Sequence, residues 1–417
     1  MKSPTAPEIN HHHLPDDTGP ASRKTRLMRA MSAMAAVLVM GIIVGSFLIL
    51  LAHHSPGPAG LGPNSPSAAP LAVYIGLDAK DGTVYALRPS DGSILWQHRI
   101  DQGGQKFAHE PTIDHGVVYL TSLNGSIYAL RASDGSLLWH RVVEGIPYQP
   151  VGADGTIIYL GASDGAIYAL RTSDGSQVWH HPTSTPNALV LAVVNGQVYA
   201  FSGGLYALRA SDGSVIWHDE TLQFSSRSFV VTNGKVYVPE NVAGHPSVVV
   251  LRASDGQHLQ PLPVQGELAF ADGILYISGQ ELYALRPRDD SVLWHTQSNC
   301  IVPTGRLSVN NGVVYTSVSV YQSSSGSAQQ ENAKGNVPEI STDVCALRTR
   351  DGKLLWHWHK STVEGVTVPV VADGHVYFST GVDIGNKEDG LYALRASDGF
   401  LLWHAFQGKL LDGPAVG

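Results

Sequence analysis

From residue 72 onward the hydrophobic positions come in short runs that alternate with polar residues and stop at Asp-Gly or Asn-Gly pairs. The stretch "YQPVGADG", "TIIYLGASDG", "AIYALRTSDG", "SQVWHH" (residues 148–181) shows the pattern. Each run is rich in β-branched and aromatic residues and closes on a hairpin signal, so it predicts four antiparallel strands in a row. We label them A to D, with A innermost. No helical period interrupts them.

The same four-run unit recurs along the chain. Its most regular part is the phrase "ALRASDGSLLWH" (Ala129–His140), with near-copies at Ala86, Ala169, Ala207 and Ala393. The aspartate of the phrase falls at Asp91, Asp134, Asp174, Asp212, Asp255, Asp289, Asp351 and Asp398, with gaps of 43, 40, 38, 43, 34, 62 and 47 residues. A period of ~40 residues filled with strands matches one four-stranded propeller blade per repeat. A single such sheet would leave both apolar faces in water, and stacking blades around an axis covers them. The first unit opens at "AVYIG" without an A strand, and the chain finishes with "LLDGPAVG", an A strand without a B. Pairing the two closes the ring. The expectation is all-β: an eight-bladed β-propeller of four-stranded blades over residues 72–417. Blade 5 departs from the phrase, with Gln260 where seven other units have tryptophan.

One apolar run breaks the short-strand rule. Residues 30–52 contain no charge. As a helix they would extend about 35 Å, enough to cross a hydrocarbon core of about 30 Å. Arg23, Lys24, Arg26 and Arg29 crowd the N-terminal side, which by the positive-inside rule makes residues 1–29 a cytoplasmic tail and the rest extracytoplasmic. The run exceeds the roughly 7–15 residues of a signal-peptide core, so we read a single-pass membrane anchor, with a cleaved signal peptide as the alternative. Residues 53–71, with five prolines and three glycines, form a partly extended linker.

The formal net charge is −8. The first 29 residues hold five basic and three acidic side chains, so the negative charge lies in the propeller. With no lysine/arginine stripe, nucleic acid is excluded as a partner.

The repeated side chains read as scaffold. An arginine stands three residues before each aspartate of the phrase, from Arg88/Asp91 to Arg395/Asp398. The carboxylate suits an Asx-turn and the arginine pairs with it. Trp96, Trp139, Trp179, Trp217, Trp294, Trp356 and Trp403 stand five residues after the aspartate, where each would dock on the next blade. Spread around a rim, they cannot converge on one ligand. The same holds for the histidine after each tryptophan (His140, His180, His218, His295, His357 and His404). In "WHWHK" His357 and His359 share a strand face, but two imidazoles without a third ligand make a weak metal site, and no metal site is assigned.

Residues just before each inner strand ring the axis on the face opposite the tight turns. His109, Glu110, Tyr148, Gln149, Arg227, Glu267, Arg306 and Asp412 are the candidates there for a small ligand or peptide. The insertion from Tyr321 to Thr342 lies on the same face. Asp383, Asn386, Glu388 and Asp389 offer oxygen donors in blade 8, without the alternation of a calcium loop. Cys300 and Cys345, the only two cysteines, are a candidate disulfide in or beside blade 7.

The repeats, in most units Tyr-x-Leu-x-x-x-Asp-Gly-x-x-x-Trp as from Tyr128 to Trp139, resemble the pyrroloquinoline-quinone-type (PQQ-like) β-propeller family over residues 72–417. In that family the phrase usually has an acidic residue and a threonine where this chain has Arg131 and Asp134. The resemblance implies the fold and leaves two functions. One is a membrane-anchored extracytoplasmic binding or scaffold module for an envelope protein or small ligand, with no catalytic residue and no cofactor. The other is a quinoprotein oxidoreductase that holds PQQ with calcium. No PQQ ligand set maps onto this chain residue by residue, and a His-Glu-x-x-His motif is absent, so the expectation is the first.

Overall fold

The computed structural model describes residues 71–417, apart from 77–81, 101–106, 108, 153–154, 224–227, 243–244, 297–305, 323–338, 362–364, 381–388 and 408–412. Nothing is described of the side chains of 241–246, 306, 320–322 and 339–340. The expected anchor at 30–52 and the linker lie outside the described residues. Among the described residues no helix is long and apolar enough to cross a membrane.

The described chain is all β, in eight antiparallel sheets. Blade 2 shows the plan: Thr112–Asp114, Val117–Thr121, Ser126–Arg131 and Leu137–Val142 pair in sequence order. Seven sheets have four strands and one has three. The exception is blade 5, where the third strand, His245–Arg252, meets the fourth segment only through the bridges Val248↔Leu262 and Leu251↔His258. The segment "QHLQPL" lacks the tryptophan that stands in strand D of the other seven blades, and Pro261 within it has no N–H to give the ladder.

The chain ends interlock as the repeat count requires. Ala415–Val416 pairs with Val73–Gly76 and supplies the inner strand of blade 1. The Ala72 and Gly417 backbones exchange hydrogen bonds beside that ladder. The A–B and C–D turns share one face, tied by bonds such as Ala132 N–H to the Gly116 carbonyl, 2.9 Å.

The core is not one mass. It consists of eight apolar clusters, each made by two consecutive blades: Tyr74 and Val84 with Val118 and Leu130 between blades 1 and 2, for example, and Val73 and Leu87 with Tyr377 and Leu391 between blades 1 and 8. Strands B and C, which read as near-continuous apolar runs, are buried on both faces and serve two joints at once.

Tryptophan closes most of these joints. In seven blades the C/D ladder is bulged after an alanine, and that alanine faces the tryptophan, as Ala129 faces Trp139. The small residue leaves room, and the bulge twists strand D toward the next blade. Each indole N–H then donates to a carbonyl of the following blade: Trp96 to Ala132, Trp139 to Thr172, Trp179 to Ala210, Trp217 to Ala253, Trp294 to Thr349, Trp356 to Ala396 and Trp403 to Pro89, all at 2.7–2.9 Å. The last bond runs from blade 8 back to blade 1. Each of the seven tryptophans thus adds a hydrogen bond between blades to the area it buries.

Candidate functional site

Each turn of the repeated phrase is fixed as an Asx-turn. In all eight blades the aspartate Oδ1 accepts the backbone N–H two residues on, for example Ser136 N–H to Asp134 at 2.9 Å. Seven of the eight arginines pair with their aspartate, at 2.7–3.7 Å. In blade 3 Arg171 instead donates to Ser176 Oγ at 3.2 Å. Hydrogen bonds from Ser136, and then from Arg131, hold the Asp134 carboxyl below the usual carboxylate range. These groups build turns and do not converge on a site.

The repeat histidines also have a local task. His140, His218, His295 and His404 lie flat on Tyr128, Tyr206, Tyr283 and Tyr392 of the neighbouring strand C, with ring centroids 3.7–5.4 Å apart. His180 sits tilted on Tyr168. His295 Nδ1 also lies 2.6 Å from Glu281, and His140 Nε2 lies 3.0 Å from Ser126.

On the axis, the structure brings part of the expected ring together. His109 and Glu110, which lead into the inner strand of blade 2, are buried. The His109 ring packs against Tyr148 of blade 3, centroids 5.4 Å apart. Tyr148 Oη in turn donates to Asn187 Oδ1 at 2.9 Å, at the entry to blade 4. On the other side the Glu110 carboxylate lies against Gly413, where a Cβ would overlap Oε1. A polar arc thus spans blades 1 to 4 at the inner end of the sheets. Gln149 is half-buried beside Tyr148, and Glu267, half-buried, begins the inner strand of blade 6. Arg227 and Asp412 lie outside the described residues, as does the side chain of Arg306 at the start of the blade 7 inner strand.

The sequence reading did not include Asn187. Its signal is its position, one residue ahead of the run that opens blade 4, with φ +66°, a left-handed backbone that asparagine tolerates.

Two rim features were also missed. Between blades 4 and 5 a cleft of about 440 Å³ is lined by Trp217, His218, Asp219, Glu220, Asp255 and His258. His258 Nε2 lies 2.6 Å from Asp219 across it. In blade 7 Asp343 joins His357 and His359 as the third group that the sequence reading lacked. Only strand register reveals that residue: Asp343 stands directly opposite His359, 16 residues away.

Cys345 is disulfide-bonded, and no cysteine is free among the described residues. Cys300 lies outside the described residues. In blade 8 Asp389 is buried, whereas Asp383, Asn386 and Glu388 lie outside them.

The outer surface has a regular feature of its own. Within the three positions before each repeat tryptophan lie exposed apolar side chains: Ile94 and Leu95, Leu137 and Leu138, Val178, Val215, Val292 and Leu293, Leu354 and Leu355, and the pair Phe400 and Leu401. They lie on or beside strand D, which ends each sheet order with one edge unpaired.

No curated protein matches the chain. Among solved structures, the computationally designed Ika8 protein is similar at 16% identity and TM-score 0.57, over 76% of this chain and 92% of that one. The quinohemoprotein alcohol dehydrogenase from Comamonas testosteroni matches at 14% identity and TM-score 0.50, over 71% and 66%. BamB from Moraxella catarrhalis matches at 16% identity and TM-score 0.49, over 73% and 92%. At such identities the likeness shows the fold alone. The model of a protein family described as "Outer membrane protein assembly factor BamB" matches residues 80–296 and 278–414. With matches over most of the propeller, and with its eight blades linked mostly by tryptophan, the chain belongs to that family of PQQ-like β-propellers.

Proposed function

We propose that the propeller is a protein-binding scaffold, held on the extracytoplasmic side of a membrane by residues 30–52 and without chemistry of its own. The observation that carries this reading is the apolar belt on the outer strands. Exposed apolar groups beside unpaired strand edges favour contact with another chain, which covers the groups and completes the ladder. The belt repeats in seven blades, which suits a partner gripped at several points. Family membership supports it too, because the matching family is described as an assembly factor. The hydrogen-bonded pair Tyr148 and Asn187, backed by the buried His109 and Glu110, supplies a second, polar surface for an envelope protein or small ligand.

The test is site-specific photo-crosslinking of the full chain in its own cells, with the reactive group at Leu138, Leu355, Leu401 or Tyr148. Discrete protein adducts at the rim positions are the expected result. Absence of adducts at all four positions overturns the scaffold reading. So does one-to-one binding of PQQ in the presence of calcium with alcohol-dependent dye reduction, which would make the protein a quinoprotein oxidoreductase.

A further inference from the structure

We infer that blade 7 carries a binding site for one divalent transition-metal ion of the zinc class, formed by Asp343, His357 and His359. The three donors come from two adjacent strands, Glu339–Arg348 and Leu354–Ser361. Asp343 pairs with His359 in the ladder and Cys345 with His357, so all four side chains stand on one face of the sheet. His357 Nε2 lies 2.6 Å and His359 Nδ1 2.8 Å from the same Asp343 oxygen, and the three donor atoms are within 4.8 Å of one another.

The repeat shows why this blade differs. Elsewhere the histidine after tryptophan rests on the strand C tyrosine opposite it, as His140 does on Tyr128. In blade 7 that tyrosine is replaced by Cys345, which is committed to a disulfide and so is not a thiolate ligand. Without a ring to lie on, His357 turns its nitrogen to Asp343. The strand C position of Asp343 is held by Ser126 in blade 2 and Glu281 in blade 6, each also 14 residues before its histidine. Those blades therefore hold one histidine and one partner. Blade 7 alone adds a histidine three residues after its tryptophan, at His359.

The donor set selects the ion. Two imidazoles and one carboxylate suit zinc, cobalt, nickel or copper, whereas magnesium and calcium prefer all-oxygen shells. Metal–ligand bonds of about 2.0–2.1 Å at tetrahedral angles place donors about 3.3 Å apart. Each imidazole then needs to retreat from Asp343 by about 0.5–0.7 Å relative to the hydrogen-bonded arrangement. The histidine side chains, 41% and 50% exposed, are free to make that shift, while Asp343, 11% exposed, is the fixed end. No cation opposes the ion from the same strand, because Lys360 points to the other face, over the Tyr392 ring. Three protein ligands leave at least one coordination position to water.

Zinc alone is the probe. The full chain, stripped with chelator, is titrated calorimetrically beside the Asp343→Asn and His359→Gln variants. All three carry alanine at His11, His12 and His13 so that the histidine run of the tail does not compete. The expected result is one more zinc ion bound per chain in the parent than in either variant, or binding weakened by roughly tenfold or more. Zinc should also raise the melting temperature of the parent and not of the variants. Cobalt substitution gives a readout that needs no variant: a visible d–d band of a low-symmetry site with nitrogen ligands, displaced by zinc. Equal zinc stoichiometry and affinity in parent and variants overturns the inference, as does the absence of both the extra ion and the cobalt band.

Discussion

A glycine that follows the turn aspartate meets two demands at once. Gly135 has φ +71°, and a Cβ there would come within 2.5 Å of the Trp96 ring of the preceding blade. The backbone needs left-handed freedom and the neighbour needs the empty space. Gly116, in the A–B turn of the same blade, has φ +78° but nothing within 4 Å of its Cβ position. The two positions separate strain from packing. Gly116→Ala should cost about 1–2 kcal/mol, for the left-handed conformation alone. Gly135→Ala should cost about 1–3 kcal/mol more, because the methyl displaces an indole from a close-packed joint. Chemical denaturation of the two variants checks the difference, and equal losses would contradict the proposed packing role.

At the scale of the element, blade 5 shows how one joint is rebuilt when its usual parts are missing. The chain has Gln260 in place of tryptophan and, in the facing turn of blade 6, Asp290 in place of glycine. No indole needs the space, so a side chain fills it, although Asp290 keeps the positive φ of +57°. Tyr237 of blade 5 donates to the Pro287 carbonyl at 3.1 Å and to Asp290 at 2.7 Å, and Lys235 pairs with Asp290 at 2.6 Å. Pro287 is the counterpart of the carbonyls that accept an indole N–H elsewhere. Burial and the Asp290 carboxylate push the Tyr237 hydroxyl well above its ordinary range, so it stays a donor. Lys235→Met should weaken this joint by about 2 kcal/mol, since a half-buried carboxylate loses a charged partner. Gln260→Trp alone should not stabilise, whereas Gln260→Trp with Asp290→Gly should recover the indole bond of the other seven joints. Thermal melts of the three variants decide it. The sequence makes the loss of tryptophan visible but not its consequence. Gln260 and Asp290 are linked only once it is known that the tryptophan of one blade covers the glycine of the next. Asp343 was hidden for a similar reason, because its partner across the sheet depends on register and not on spacing.

For the whole molecule, the period of about 40 residues and the unmatched strands at the two ends were enough to give eight blades and a closed ring. The identity of the repeats made this part legible, since each unit repeats the evidence of the others. The axial arc was legible in its positions and not in its contacts, because the residues before each inner strand share no motif. Closure rests on a small segment: Ala415–Val416 in the ladder and the Gly417–Ala72 exchange of backbone bonds. Deleting residues 413–417 should cost about 3 kcal/mol from lost backbone bonds. It also bares the inner edge of Val73–Gly76, so we expect a lower melting temperature and concentration-dependent association in light scattering. An unchanged monomer would mean that Trp403 and the cluster between blades 8 and 1 hold the ring without this strand.

The bond from Trp403 to Pro89 joins residues 314 positions apart, while the other indole bonds join blades next to each other in sequence. A nascent chain can therefore settle its blades one after another as it is synthesised, each against the last. It cannot finish the first of them until residue 416 has been made. Throughout that interval the earliest-made strand waits with an open edge, and whatever shields it in the cell must do so for nearly the whole time of synthesis.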